Sequence, residues 1–197
     1  MTDFIIQKGA TFSRVLRWES TPLVYVPVSA VTRAAPMVVT ATGHGLVTGW
    51  RAALISLGGM RQANAKHQPP RSNEFHRVTY ISASQISFND VDSSRYTTYT
   101  SGGYLVSYTP VSLAGFTARM MIRETPEATG TPLESLVSPT DIALDDTNHT
   151  ITITIAAADT AAYDFLSGYF DLELVSAGGV VTRLLEGTVA VTEEVTR

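Results

Sequence analysis

The run Thr150-Ile151-Thr152-Ile153-Thr154-Ile155 alternates without a break between polar and apolar β-branched side chains. A period of two puts three isoleucines on one face and three threonines on the other, as in a strand with one face buried and one in water. The same period recurs along the chain. Phe12, Arg14, Leu16 and Trp18 share a face opposite Ser13, Val15 and Arg17. Phe116, Ala118, Met120 and Ile122 alternate with Thr117, Arg119, Met121 and Arg123, and Phe170, Leu172 and Leu174 alternate with Asp171 and Glu173. Ser176-Ala177-Gly178-Gly179 predicts a hairpin into Val180 to Leu185, and a last strand is expected over Thr188 to Thr192. One segment departs from the pattern: Ala157 to Leu166, with Asp159 as N-cap, predicts a single short helix that ends before Gly168.

The middle of the chain reads differently. Pro36 to Tyr108 is rich in Gly, Ser, Thr, Tyr and basic residues, with short strand-like runs at Met37 to Ala41, His76 to Ile81 and Gln85 to Phe88. Met60 to Ser72 is polar and carries prolines, which predicts a surface loop. A second small β domain inserted into the first is expected. With 197 residues, 44% of them hydrophobic, the chain is long enough for two such cores.

Charge narrows the partners. Only 16% of residues are charged, against about a quarter in an average soluble domain. The net charge of −4 lacks the basic footprint that grips phosphates, so nucleic acid is not an expected partner. With no cysteine there is no disulfide, thiolate metal site or cysteine nucleophile. Met1-Thr2-Asp3-Phe4 places an acid where a signal peptide carries positive charge, and no apolar run follows. The expectation is a protein made in the cytoplasm, with no membrane partner.

Four motifs carry a resemblance. They are Gly9-Ala10-Thr11-Phe12 with Trp18; Leu113-Ala114-Gly115-Phe116-Thr117-Ala118-Arg119-Met120; Gly168 to Leu174; and Val181 to Val189, with the closing Val195-Thr196-Arg197. In this order they resemble the immunoglobulin-like N-terminal domain of BppU-type phage baseplate proteins. The inserted stretch resembles a phage-tail module related to the small β domain called FCCH in ubiquitin-activating enzymes. That likeness lies in Val39 to Gly49, Phe75 to Tyr80, Ile86-Ser87-Phe88 and Tyr99 to Gly103. The resemblance implies an all-β chain: an immunoglobulin-like β-sandwich (1–34 and 107–197) with a small β-barrel or sandwich (35–106) inserted in an early hairpin. It also implies a structural spacer or contact role for the insert, without ubiquitin chemistry.

Candidate sites are few. His44 lies between two glycines, and His67 and His76 share the insert, but their irregular spacing without Cys fits a turn better than zinc. Asp141, Asp145, Asp146 and Asn148 lack the order of a calcium loop and read as a turn before the isoleucine strand. No nucleophile elbow, phosphate loop or dinucleotide fingerprint is present, so neither an enzyme nor a cofactor is expected. Arg61, Lys66, Arg71 and Arg77, with Tyr96 and Tyr99, form a candidate interaction patch on a locally basic insert. An acidic protein surface suits it better than nucleic acid. The weakly charged strands Thr150 to Thr154 and Val189 to Thr192 are expected as poorly guarded sheet edges, open to pairing between subunits.

The expected function is that of a bacteriophage virion structural protein in the tail tip, baseplate or a fibre attachment region. It would form a homo-oligomeric ring with other tail, baseplate, neck or fibre proteins. Alternatives are a capsid decoration protein or head-fibre anchor, and a carbohydrate-binding module built on Tyr96, Tyr99, Tyr104 and Tyr108.

Overall fold

The computed structural model describes residues 2–194. The chain is all-β with one short α-helix among the described residues, and it divides into two compact units. One unit runs to Trp18 and resumes at Val111; the other is Glu19–Pro110.

The first unit begins with β1 (Thr2–Gln7) and β2 (Phe12–Leu16). The second contributes β3 (Glu19–Pro27), β4 (Ala30–Val31), β5 (Met37–Thr40), β6 (Arg51–Ile55), β7 (His76–Ser82), β8 (Gln85–Phe88) and β9 (Tyr104–Pro110). The first then resumes with β10 (Thr117–Arg123), β11 (Glu134–Val137), β12 (Ile142–Asp145) and β13 (Thr150–Ile155). It ends with α1 (Ala157–Ala161), β14 (Ser167–Val175) and β15 (Val181–Thr192).

In the first unit, one sheet has the order β1-β15-β14-β10-β11 and the other β12-β13-β2. β10, β14 and β15 take the C, F and G positions of an immunoglobulin-like sandwich, and β2, β13 and β12 take B, E and D. β1 lies parallel to β15, and the other pairings are antiparallel. The alternation read from sequence explains the packing. Ile151, Ile153 and Ile155 face in from one sheet, against Met120, Ile122, Leu172, Leu174 and Val189 from the other. Each is almost fully buried, stabilising the fold by about 1.5–3 kcal/mol per side chain. Phe4 stacks on Phe170 at 4.4 Å and closes the end of this core.

Three expectations change here. The strand expected at Thr188 to Thr192 is the second half of β15, which runs on through buried Gly187. The helix is five residues long and Asp159 lies within its first turn; the Ala156 carbonyl accepts the N–H groups of Asp159 and Thr160. It stops early because Tyr163 turns inward and joins Phe165 against the core. Finally, neither weakly charged strand is an edge: β13 lies between β12 and β2, and β15 between β1 and β14. Their lack of charged guards reflects protection by neighbouring strands.

The second unit is one antiparallel sheet of order β3-β9-β6-β7-β8-β5-β4. Its two end strands are successive parts of one chain segment. At the join, Val28 N–H donates to the Gly103 carbonyl (3.0 Å) and Ser29 N–H to the Thr40 carbonyl (2.9 Å). The segment thus pairs first with β9 and then with β5, which joins the two ends of the sheet into a barrel. Trp50, Met60, Met37, Ile86, Phe88 and Leu105 fill it.

The boundary falls at Trp18/Glu19 and Pro110/Val111 rather than at 34/35 and 106/107. Residues 19–34 belong to the barrel because β3 pairs with β9, from Glu19 opposite Pro110 to Pro27 opposite Tyr104 with a bulge at Thr21-Pro22, and β4 pairs with β5. The host strands on either side, β2 and β10, lie in different sheets, so the host connection is a crossover and the antiparallel ribbon at the insertion point is β3 with β9. Just outside it, Val111 N–H donates to the Trp18 carbonyl (3.0 Å), and the Trp18 ring meets Phe116 edge-on at 5.8 Å.

Candidate interaction cleft

The loop between β6 and β7 is long and polar, yet it is firmly placed. Met60 is completely buried in the barrel core, so the expected surface loop is anchored at its start. The Asn64 carboxamide then accepts the Leu57 N–H (2.9 Å) and donates to the Leu57 carbonyl (3.2 Å), as a paired strand residue would. Ala65 N–H reaches the Leu54 carbonyl at 2.7 Å.

Glu74 organises the far half. Its carboxylate accepts the N–H of Lys66 (2.7 Å) and of Arg71 (2.8 Å) and lies 3.2 Å from His67 Nδ1. Glu74 N–H returns a bond to the Arg71 carbonyl at 2.9 Å. Donation from the Arg71 N–H, then from His67 and the Lys66 N–H, lowers the Glu74 pKa to about 2.

This fold of the loop borders a cleft of about 470 Å³ in the barrel. Buried Met37, Leu54 and Phe88 line it, together with Tyr96, and the polar lining includes Lys66 and Arg71. His76 also lines it, with Nδ1 2.7 Å from Asp90. Eight of its fifteen lining residues are polar or charged, so the cleft suits a polar or charged partner more than an apolar one.

The six residues of the sequence-derived patch therefore separate. Lys66, Arg71 and Tyr96 meet at the cleft. Arg61 is exposed on a one-turn 3-10 helix and does not line it. Arg77 lies on β7 beside a shallower depression with Thr48, Phe75 and Asn89. Tyr99 has a structural role: its hydroxyl lies 2.9 Å from the Val28 carbonyl and 3.0 Å from that of Gly102, at the barrel seam. The sequence reading missed Glu74 and the buried Met37, Leu54 and Phe88 beneath the cleft. Arg71 has no side-chain acceptor to complete a capping box, so no sequence motif marked Glu74.

The other tyrosines do not form a row. Tyr104 packs edge-on against Tyr25, and Tyr108 against Phe75 with the Arg51 guanidinium 5.7 Å from its ring centre. His44 is a buried turn residue between glycines that both have positive φ. Its Nδ1 accepts the Leu46 N–H (3.0 Å), so Nε2 carries the proton toward the Ser82 carbonyl (2.9 Å). In the sandwich, Asp145 accepts from the Asn148 backbone and side chain. Asp146 accepts from the Ser112 hydroxyl and the N–H groups of Leu113 and Ala114, tying two turns together. These donors hold both carboxyls below their ordinary range. Among the described residues no three His, Asp or Glu are grouped to hold a metal, and no helix is long and apolar enough to cross a membrane.

No family model matches the chain, and no curated protein matches it.

Proposed function

We propose that this chain is a structural protein of a bacteriophage particle, in the tail tip, baseplate or a fibre attachment region, and that it works through protein–protein contacts. The observation that carries this reading is a closed barrel inserted at the B-to-C crossover of an immunoglobulin-like sandwich. The placement of the motifs supports it. The first leads into β2, the second enters β10, the third is β14 and the fourth is β15, so the last three occupy adjacent strands of one sheet. Val195-Thr196-Arg197 lies outside the described residues.

The insert's motifs likewise fall on its structural joints. Gly43-His44-Gly45 forms the turn after β5 with His44 buried, and Tyr99 to Gly103 forms the seam with Val28. A Cβ at Gly103 would lie 2.8 Å from the Ile55 carbonyl oxygen, so the chains cross there too closely for any side chain. In this reading the sandwich anchors the protein in the particle and the barrel presents a contact surface. The test is quantitative mass spectrometry of purified particles. Detection at a low, fixed ratio to the major capsid protein supports the proposal, and absence from the particle refutes it. Hundreds of copies would replace the tail location with capsid decoration.

A further inference from the structure

The two units carry opposite charge. Residues 19–110 hold seven Lys/Arg and four Asp/Glu, a balance of +3; the rest of the chain holds seven and fourteen, a balance of −7. In the barrel, Glu74 also lines the cleft, and its carboxylate is held by the Lys66 and Arg71 N–H groups and by His67. The Lys66 ammonium and the Arg71 guanidinium form no ion pair among the described residues, and both residues are exposed at the cleft. With two cations, Lys66 and Arg71, against one carboxylate, Glu74, among its lining residues, the cleft fits an anionic segment.

The sandwich carries such a segment. Many of its acids are engaged, Glu173 with Arg119, Asp171 and Glu186 with Arg183, and Glu193 with Lys8. Glu124 and Glu127, in the loop between β10 and β11, are exposed and unpaired among the described residues, with Thr125 and Pro126 between them.

We propose that the barrel cleft of one copy receives the Glu124–Glu127 loop of a second copy, with Lys66 and Arg71 facing the two carboxylates. This rests on the reading of the chain as part of an assembly. Two different surfaces meet, so the contact is heterologous: it propagates head to tail and closes into a ring or continues as a filament. Exposed charges govern it, so it weakens as salt shortens the screening length from about 10 Å at 0.1 M to about 3 Å at 1 M.

The test is sedimentation velocity on the full chain, at low and high salt, with a charge-swap series. The wild-type chain is expected to form oligomers that high salt dissociates. Lys66→Glu with Arg71→Glu, and separately Glu124→Lys with Glu127→Lys, should each weaken association at least tenfold with unchanged circular dichroism. Mixing these two variants, or combining all four changes in one chain, should restore it. Because the chain has no cysteine, a Lys66→Cys, Glu127→Cys variant gives a second readout: an intermolecular disulfide joining those two positions. A wild-type chain that stays monomeric at every concentration, or oligomers indifferent to both reversals, would overturn the proposal. Presence in purified particles with a monomer in solution would sink the docking contact alone, whereas absence from particles would sink the structural role itself.

Discussion

Glu74 shows how one side chain can hold a site in place. Its pKa of about 2 lies below the ordinary 4.5, so the native state favours the ionised form. A depressed carboxylate contributes stability that is complete above the ordinary value and is lost as pH falls toward the native one. Loop ordering should therefore weaken between about pH 4.5 and 2. Protection of the Lys66 and Arg71 amides against hydrogen exchange, relative to the intrinsic rate at each pH, should fall across that window in the wild type, and in Glu74→Gln it should already be low at neutral pH. Tyr99 offers a second residue-scale case. Tyr99→Phe leaves the Val28 and Gly102 carbonyls without this donor and should lower barrel stability by about 1 kcal/mol in denaturant titration. From sequence Tyr99 stood out without its role, and Glu74 did not stand out at all. Spacing placed Tyr99 among surface aromatics, and only the seam geometry turns its hydroxyl toward the backbone.

At the scale of elements, legibility followed periodicity. β13 and β14 were plain because half their positions are buried and half exposed, which a period of two reports directly. What periodicity cannot report is the neighbour across the ladder. β13 and β15 looked like open edges because their outer residues are uncharged, yet each is flanked on both sides. The start of β14 depends on a close approach in the same way. A Cβ at Gly168 would meet Ile122 Cγ2 at 2.8 Å and the Arg123 carbonyl oxygen at 3.0 Å. Gly168→Ala should therefore cost about 1–3 kcal/mol of sandwich stability, read from its thermal unfolding, because the Arg123 backbone cannot easily give way.

At the scale of the whole molecule, two hydrophobic cores with no residue in common imply two unfolding events. Trp50→Ala should destabilise the barrel by about 3–5 kcal/mol and lower one calorimetric transition while leaving the other in place. That an insert exists was legible from the shift in composition near Pro36. Its true limits were not, since β3 resembles a host strand in sequence and belongs to the barrel only through pairing with β9 some eighty residues on. The candidate cleft was half legible for the same reason. Its cations are near one another in sequence, while Met37, Leu54 and Phe88 reach it from three strands.

The central claim is that this sandwich with its inserted barrel is a built-in part of a virus particle. The most direct measurement is the number of copies per purified particle, counted by mass spectrometry against the major capsid protein. A structural place in the tail requires a small, fixed number in multiples of roughly three or six, as in symmetric tail rings. A chain abundant in infected cells and missing from purified particles would contradict it.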